Sequence, residues 1–130
     1  MSIPFNFDVT STRTHGVAET FFDAVHAFNN QKWPALLKLL DQNVVVYNVS
    51  NVNYILGYAA AQKYFEGITD PETFAPTNQI TFFPTIYPLS VRGVALWTHA
   101  AHGHVNVPIQ YEFEFAPATF LITSMWAQHA

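Results

Sequence analysis

Between residues 14 and 31, THGVAETFFDAVHAFNNQ, the apolar positions Val17, Phe21, Ala24, Val25 and Phe28 return every three or four residues. That is the period of one helix face, and it predicts an amphipathic α-helix whose inward stripe carries Ala24. Glu19, Asp23 and His26 fall on the opposite side. They resemble an acid–base trio, but their phase predicts a solvated helix face. Asn29, Asn30 and Gln31 end the pattern. The next segment, WPALLKLLDQ, predicts a second, short helix with Pro34 in its first turn, where a missing N–H costs nothing.

NVVVYNV (Asn43–Val49) is rich in β-branched residues and reads as a strand, with NYILG as a short second one. Gly57 opens and Gly67 closes a third helix, YAAAQKYFEGI. After the proline-bearing loop TDPETFAPTN only strand-like segments remain, at 79–90, 91–101, 104–115 and 119–129. Pro84 and Pro88 interrupt the first of these. Each removes a ladder donor, so that strand must lie at an edge, or be bulged or bent. The order predicts an α+β fold: three N-terminal helices packed on a curved, mostly antiparallel β-sheet that encloses a conical space. Residues 1–14, polar and containing Pro4, predict an N-terminal arm, and residues 15–130 a single domain.

Composition sharpens this. Apolar residues make up 50% of the 130, aromatics 16%, and charged residues only 11%, against about 25% charged in an ordinary soluble domain. One small core does not need that much apolar surface, and the surplus predicts a lined cavity, a buried subunit interface, or both. The net charge is −4 and the five Lys and Arg stand singly. No basic patch tracks a phosphate backbone, so nucleic acid is not an expected partner. The absence of cysteine removes disulfides, thiolate metal sites and cysteine nucleophiles together. The N-terminal residues show no basic start followed by an apolar run, and no apolar run approaches the ~20 residues that cross a bilayer. A cytoplasmic protein with no membrane partner is the expectation.

WTHAAHGHV (Trp97–Val105) brings three histidines together. His102-Gly103-His104 reads as a hairpin tip, because glycine beside a polar residue is a common reversal signal. Its His-x-His spacing can hold zinc only with a third ligand from elsewhere, so no metal site is expected. His99 shares a strand face with Ala95 and Trp97. Two readings of it stay open: a pocket-wall imidazole that moves a proton near neutral pH, or a hydrogen-bonded histidine on the outer face of the sheet. In YEFEF the alternation turns Tyr111, Phe113 and Phe115 inward and leaves Glu112 and Glu114 in water.

The element order, together with LLDQNVVVYNV, GYAAAQKYFEGI and YEFEFAPATFLITSMWAQHA, resembles the NTF2-like (cystatin-like) superfamily over about residues 15–130. The branch it looks closest to holds SnoaL-type polyketide cyclases and ketosteroid isomerases. The resemblance implies a cone-shaped pocket, with Tyr64 on its wall, and Met125, Ala127 and His129 turned toward its mouth. It also implies where the isomerase groups would fall, and none is present. The base position falls on Asn48, the oxyanion tyrosine on Ala24, and the protonated aspartate on Gln110 or Tyr111, depending on register. The Asp-Arg-Asp set of related epoxide hydrolases finds no support, since Arg13 and Arg92 are the only arginines. The terminal carboxylate of SnoaL-type cyclases is replaced by Gln128-His129-Ala130.

What remains is a cofactor-free pocket. One reading is an isomerase, cyclase or dehydratase acting on a small apolar, polyketide- or terpenoid-like molecule. His129 or His99 would be its base, with Asn48 and Tyr111 as hydrogen-bond donors and Trp97, Tyr64, Phe113, Met125 and Ala24 as contacts. The alternative is a non-catalytic binder of a hydrophobic metabolite, or a dimeric interaction module. A homodimer through the sheet face suits any of the three.

Overall fold

A computed structural model describes residues 9–48, 53–67, 78–99 and 103–129, with side chains for all but 9–14, 48, 53, 67, 78, 99 and 129. The first helix, α1, runs Val9–Asn29 and so begins within the stretch expected to be an arm. Hydrophobic periodicity marks only the packed part of a helix, and a polar extension leaves no period to read. Val17, Phe21, Ala24 and Ala27 are buried along its inner face, while Glu19, Asp23 and His26 are exposed. Gly16 sits where the Phe120 ring docks: a Cβ there would stand 2.5 Å from that ring.

The second helix, α2, is only Trp33–Leu37, with Pro34 in its first turn and Leu36 and Leu37 buried. It stops short of the predicted length because the chain is drawn into the sheet. Ile122 donates its N–H to the Leu39 carbonyl at 2.8 Å, and strand β1 already begins at Leu40 and runs to Asn48. Strand β2, Asn53–Leu56, folds back on β1, and only then does helix α3, Tyr58–Gly67, follow. The order helix, helix, strand, strand, helix is the one the sequence predicts. A hairpin separates the third from the first two, and Gly57, at φ +89°, makes the turn between.

Strands β3 (Asn78–Ile86), β4 (Ser90–His99), β5 (His104–Phe115) and β6 (Ile122–His129) complete a six-stranded sheet of order β2-β1-β6-β5-β4-β3. All neighbours are antiparallel except β1 and β6. The proline-bearing β3 is an edge strand, as its missing donor requires. Pro84 pairs with Gly93, and the Phe83 carbonyl comes so close that a Cβ on Gly93 would stand 2.5 Å from it. Pro88 falls in the β3–β4 turn, which is closed by the Tyr87 N–H on the Ser90 carbonyl at 2.8 Å.

The free side of β3 is not left bare. Asn29, at the end of α1, presents its side-chain amide to Ile80 as a further strand would. Its Nδ2 donates to the Ile80 carbonyl and its Oδ1 accepts the Ile80 N–H, each at 3.0 Å. Gln79 Nε2 adds a bond to the Asn29 carbonyl at 2.8 Å. These three bonds pin the end of the helix over the sheet edge.

The two sheet faces differ sharply. Toward the helices lie Val44, Val91, Ala95, Ile109, Tyr111, Phe115, Ile122 and Met125, which form one core with Phe21, Ala61 and Phe65. The other face carries a row of linked side chains across five strands. Tyr54 stacks on Tyr47 at 5.4 Å between ring centroids and Tyr47 on Trp126 at 6.3 Å. Trp126 Nε1 donates to Glu112 at 3.3 Å, and Arg92 lies 3.7 Å from the other Glu112 oxygen.

Candidate functional site

Helix α1 lies on the inner face of the sheet over β3 and β4. Its Ala24 and the Ala127 of β6 are small residues bordering a gap that the surrounding rings do not fill. The result is a cavity of about 270 Å³ between the helices and the sheet. Ala24, Val25 and Phe28 of α1, Tyr64 and Phe65 of α3, Phe82 of β3, Ile109, Tyr111 and Phe113 of β5, and Met125 and Ala127 of β6 line it. Its remaining lining residues, Leu36, Val46, Tyr47, Ile80 and Trp126, add no charged group.

The sequence-derived site residues divide into three sets. Ala24, Tyr64, Tyr111, Phe113 and Met125 come together on the cavity wall. Tyr64 is 45% exposed and stands at the opening, while Tyr111 is 2% exposed and lies deep. Trp97 is a second case: its ring packs against the core and stacks on His104 at 4.7 Å, outside the set of lining residues. For Asn48, His99 and His129 only the backbone is described. Asn48 pairs with Ala127, His129 with Ile109, and His99 with His104 across a bulge. His102 lies outside the described residues, and Gly103 turns the chain at φ +76°. Among the described residues no three of His, Asp and Glu come close enough to hold a metal ion.

Tyr111 is the chemically distinctive group. Its ring meets Phe82 edge-on at 4.7 Å and stacks on Phe21 at 6.1 Å. Its hydroxyl is the one buried side-chain nitrogen or oxygen among the described residues without a hydrogen-bond partner. Desolvation pushes its pKa up to about 12, so the phenol stays neutral. Such a group donates a hydrogen bond and does not serve as a base near neutral pH. The YEFEF alternation gave its inward direction; nothing in the sequence marks its hydroxyl as unpartnered. Residues that sequence reasoning missed, Val25, Phe28, Phe65, Phe82 and Ile109, are ordinary apolar positions. Their convergence depends on tertiary packing alone.

No family model matches the chain, and no curated protein is significantly similar to it. Solved structures do resemble it. An NTF2-like protein of unknown function from Mesorhizobium loti aligns with TM-score 0.72 at 13% identity, over 91% of this chain and 93% of that one. A SnoaL-like protein of unknown function from Burkholderia thailandensis aligns with TM-score 0.67 at 11% identity, over 89% and 95%. A protein with a ketosteroid isomerase-like fold from Catenulispora acidiphila, in complex with trimethylamine, aligns with TM-score 0.66 at 13% identity, over 86% and 85%. The chain has the NTF2-like fold. At these identities the likeness extends to architecture and no further.

Proposed function

We propose that the protein binds a small, mostly apolar molecule in the cavity between its helices and its sheet. The observation that carries this reading is the cavity's wall, which is apolar or aromatic throughout and includes no carboxylate, amine or imidazole among the described residues. Pockets of this kind hold ligands by shape and apolar contact, with a few polar groups fixing orientation. Tyr64, Tyr111, Phe113, Met125 and Ala24 are the contacts in this reading. No helix of the described residues is long and apolar enough to cross a membrane.

One backbone observation favours a catalytic version, a cofactor-free isomerase, cyclase or dehydratase. His129 follows the cavity residue Ala127 by two positions on β6 and pairs with the cavity residue Ile109. An imidazole there would be the proton-transferring group, with Asn48 as a hydrogen-bonding partner. His99 is the other imidazole available to this version.

Ala127→Leu tests the binding reading, because it fills the gap without adding a polar atom. The variant is expected to fold and to lose binding of a fluorescent apolar probe that wild type takes up and releases to a competing ligand. Wild type that takes up no such probe, or a variant that binds it unchanged, would sink the proposal. For the catalytic version, His129→Ala should abolish turnover of any substrate found while leaving its binding intact; unchanged turnover removes His129 as the base. The same reading includes a homodimer through the outer sheet face, where Tyr54, Leu56, Phe83 and Val94 are exposed.

A further inference from the structure

We propose that a polar groove on the outer face of the sheet binds a neutral sugar ring. The groove is separate in chemistry from the helix–sheet cavity, and the proposal goes beyond the ligand-binding reading above.

Strand register brings the groove together. Thr85, Arg92, Glu112 and Trp126 stand directly opposite one another on β3, β4, β5 and β6. With Gln110 of β5 and Tyr87 of the β3–β4 turn they border a hollow of about 400 Å³. Its polar groups are held in place without being saturated. The Arg92 guanidinium carbon lies 4.4 Å from the centroid of the Tyr87 ring, and its Nη1 lies 3.7 Å from Glu112 Oε2. That distance is an ion pair and not a hydrogen bond. Glu112 Oε1 accepts the Trp126 indole N–H at 3.3 Å, and Gln110 Oε1 accepts from Gln128 Nε2 at 2.9 Å. A guanidinium carries five N–H donors and a carboxylate about four acceptor positions. These contacts use few of them, and a guest can take the place of the water on the rest.

Charge balance defines the guest. Arg92 and Glu112 are the only charged groups among the described residues that line the groove, and they cancel. An anion is attracted by one and repelled by the other, and so is a cation. A hydroxyl meets both, since it can accept from Arg92 and donate to Glu112. Hydroxyls on neighbouring ring carbons match a donor and an acceptor that sit side by side. The Thr85 hydroxyl and the Gln110 amide extend the polar rim, and the Trp126 indole offers apolar surface to the C–H groups of the ring. One exposed ion pair contributes little; a sugar gains by engaging several of these groups at once. A second copy paired on this face would cover the groove, so sugar and partner exclude each other.

Nuclear magnetic resonance titration of isotope-labelled protein tests the proposal with methyl glucoside, methyl galactoside and methyl mannoside. At least one is expected to shift the Trp126 indole signal at millimolar concentration. Cyclohexylmethanol, a ring of the same size with one hydroxyl, should not. Arg92→Ala should weaken the sugar about ten-fold or more and Thr85→Val a few-fold, with the apolar probe of the helix–sheet cavity bound as in wild type. Where wild type is a dimer, saturating sugar should lower its light-scattering mass toward that of one chain. No shift with any of the three sugars, equal binding of cyclohexylmethanol, or unchanged binding in Arg92→Ala overturns the groove while the cavity reading stands. Tighter binding of glycine than of any sugar overturns the neutral class, in favour of a zwitterion spanning Arg92 and Glu112. A dimer that persists at saturating sugar overturns the placement on this face.

Discussion

Tyr111 carries its burial as a dependence on pH. Its pKa lies near 12 in the fold against 10.0 in a model peptide, because the buried phenolate would lack water. Below pH 10 the group is protonated in folded and unfolded chains alike, and ionisation costs nothing. Between pH 10 and 12 the unfolded chain loses the proton first, so stability falls across that window, by on the order of 2 kcal/mol for this group. Burial raises the Tyr47 pKa too, and its ionisation acts in the same direction. Thermal melts from pH 8 to 12 should show the wild-type decline, with a smaller one in Tyr111→Phe. Equal declines would mean that the phenol is not desolvated in solution. At this scale sequence legibility was uneven. Alternation in YEFEF was enough to orient Tyr111, since a strand face repeats every two residues. The helical Gly16 and the positive φ of Phe120 (+56°) are different. They exist for one ring-to-helix contact between residues a hundred positions apart, and local pattern holds no trace of it.

The elements depend on edges as much as on cores. β3 ends the sheet with outward-facing backbone groups, and Asn29 is the residue that occupies those of Ile80. Asn29→Ala leaves a part-buried N–H and a carbonyl without partners. The expected cost is about 1–3 kcal/mol in a denaturant melt, with faster hydrogen exchange at the Ile80 amide. Asn29→Asp keeps the acceptor and loses the donor, so it should fall between. An Ile80 amide that exchanges at the wild-type rate in Asn29→Ala would show that the edge does not rely on this contact. The sequence read Asn29 only as a helix breaker. It does end α1, but the same amide extends the sheet, a role decided by where α1 lies over β3. Element types were legible where periodicity was long, as in α1 and β5. For WPALLKLLDQ the type was right and the end was not: Trp33–Leu37 form the expected helix, while from Leu40 the chain enters β1 beside β6.

At the scale of the whole molecule, the outer sheet face is the surface left to explain. Tyr54, Leu56, Phe83 and Val94 are between 44% and 67% exposed there, beside the stacked Tyr47 and Trp126. A two-fold pairing of this face would cover them all and satisfy the surplus of apolar residues that the cavity alone does not use. Light scattering at micromolar concentration is expected to give twice the chain mass, and Leu56→Lys with Val94→Lys to give the monomer with its melt intact. A monomeric wild type would leave these side chains to another purpose. The architecture was readable from the order of helices and strands. The cavity was readable only as an excess of rings, since its walls come from seven different elements.

Strand order has one more implication. The hairpin of β1 and β2 joins the rest of the sheet only through β6, the final strand in sequence, which sits between β1 and β5. On the ribosome, the β1–β2 hairpin must therefore wait without its inner sheet neighbour until residues 122–129 emerge. Non-local closure of this kind is slow. A nascent chain arrested before Ile122 should be a ready client for a chaperone, and one in which residues 122–129 have emerged should not.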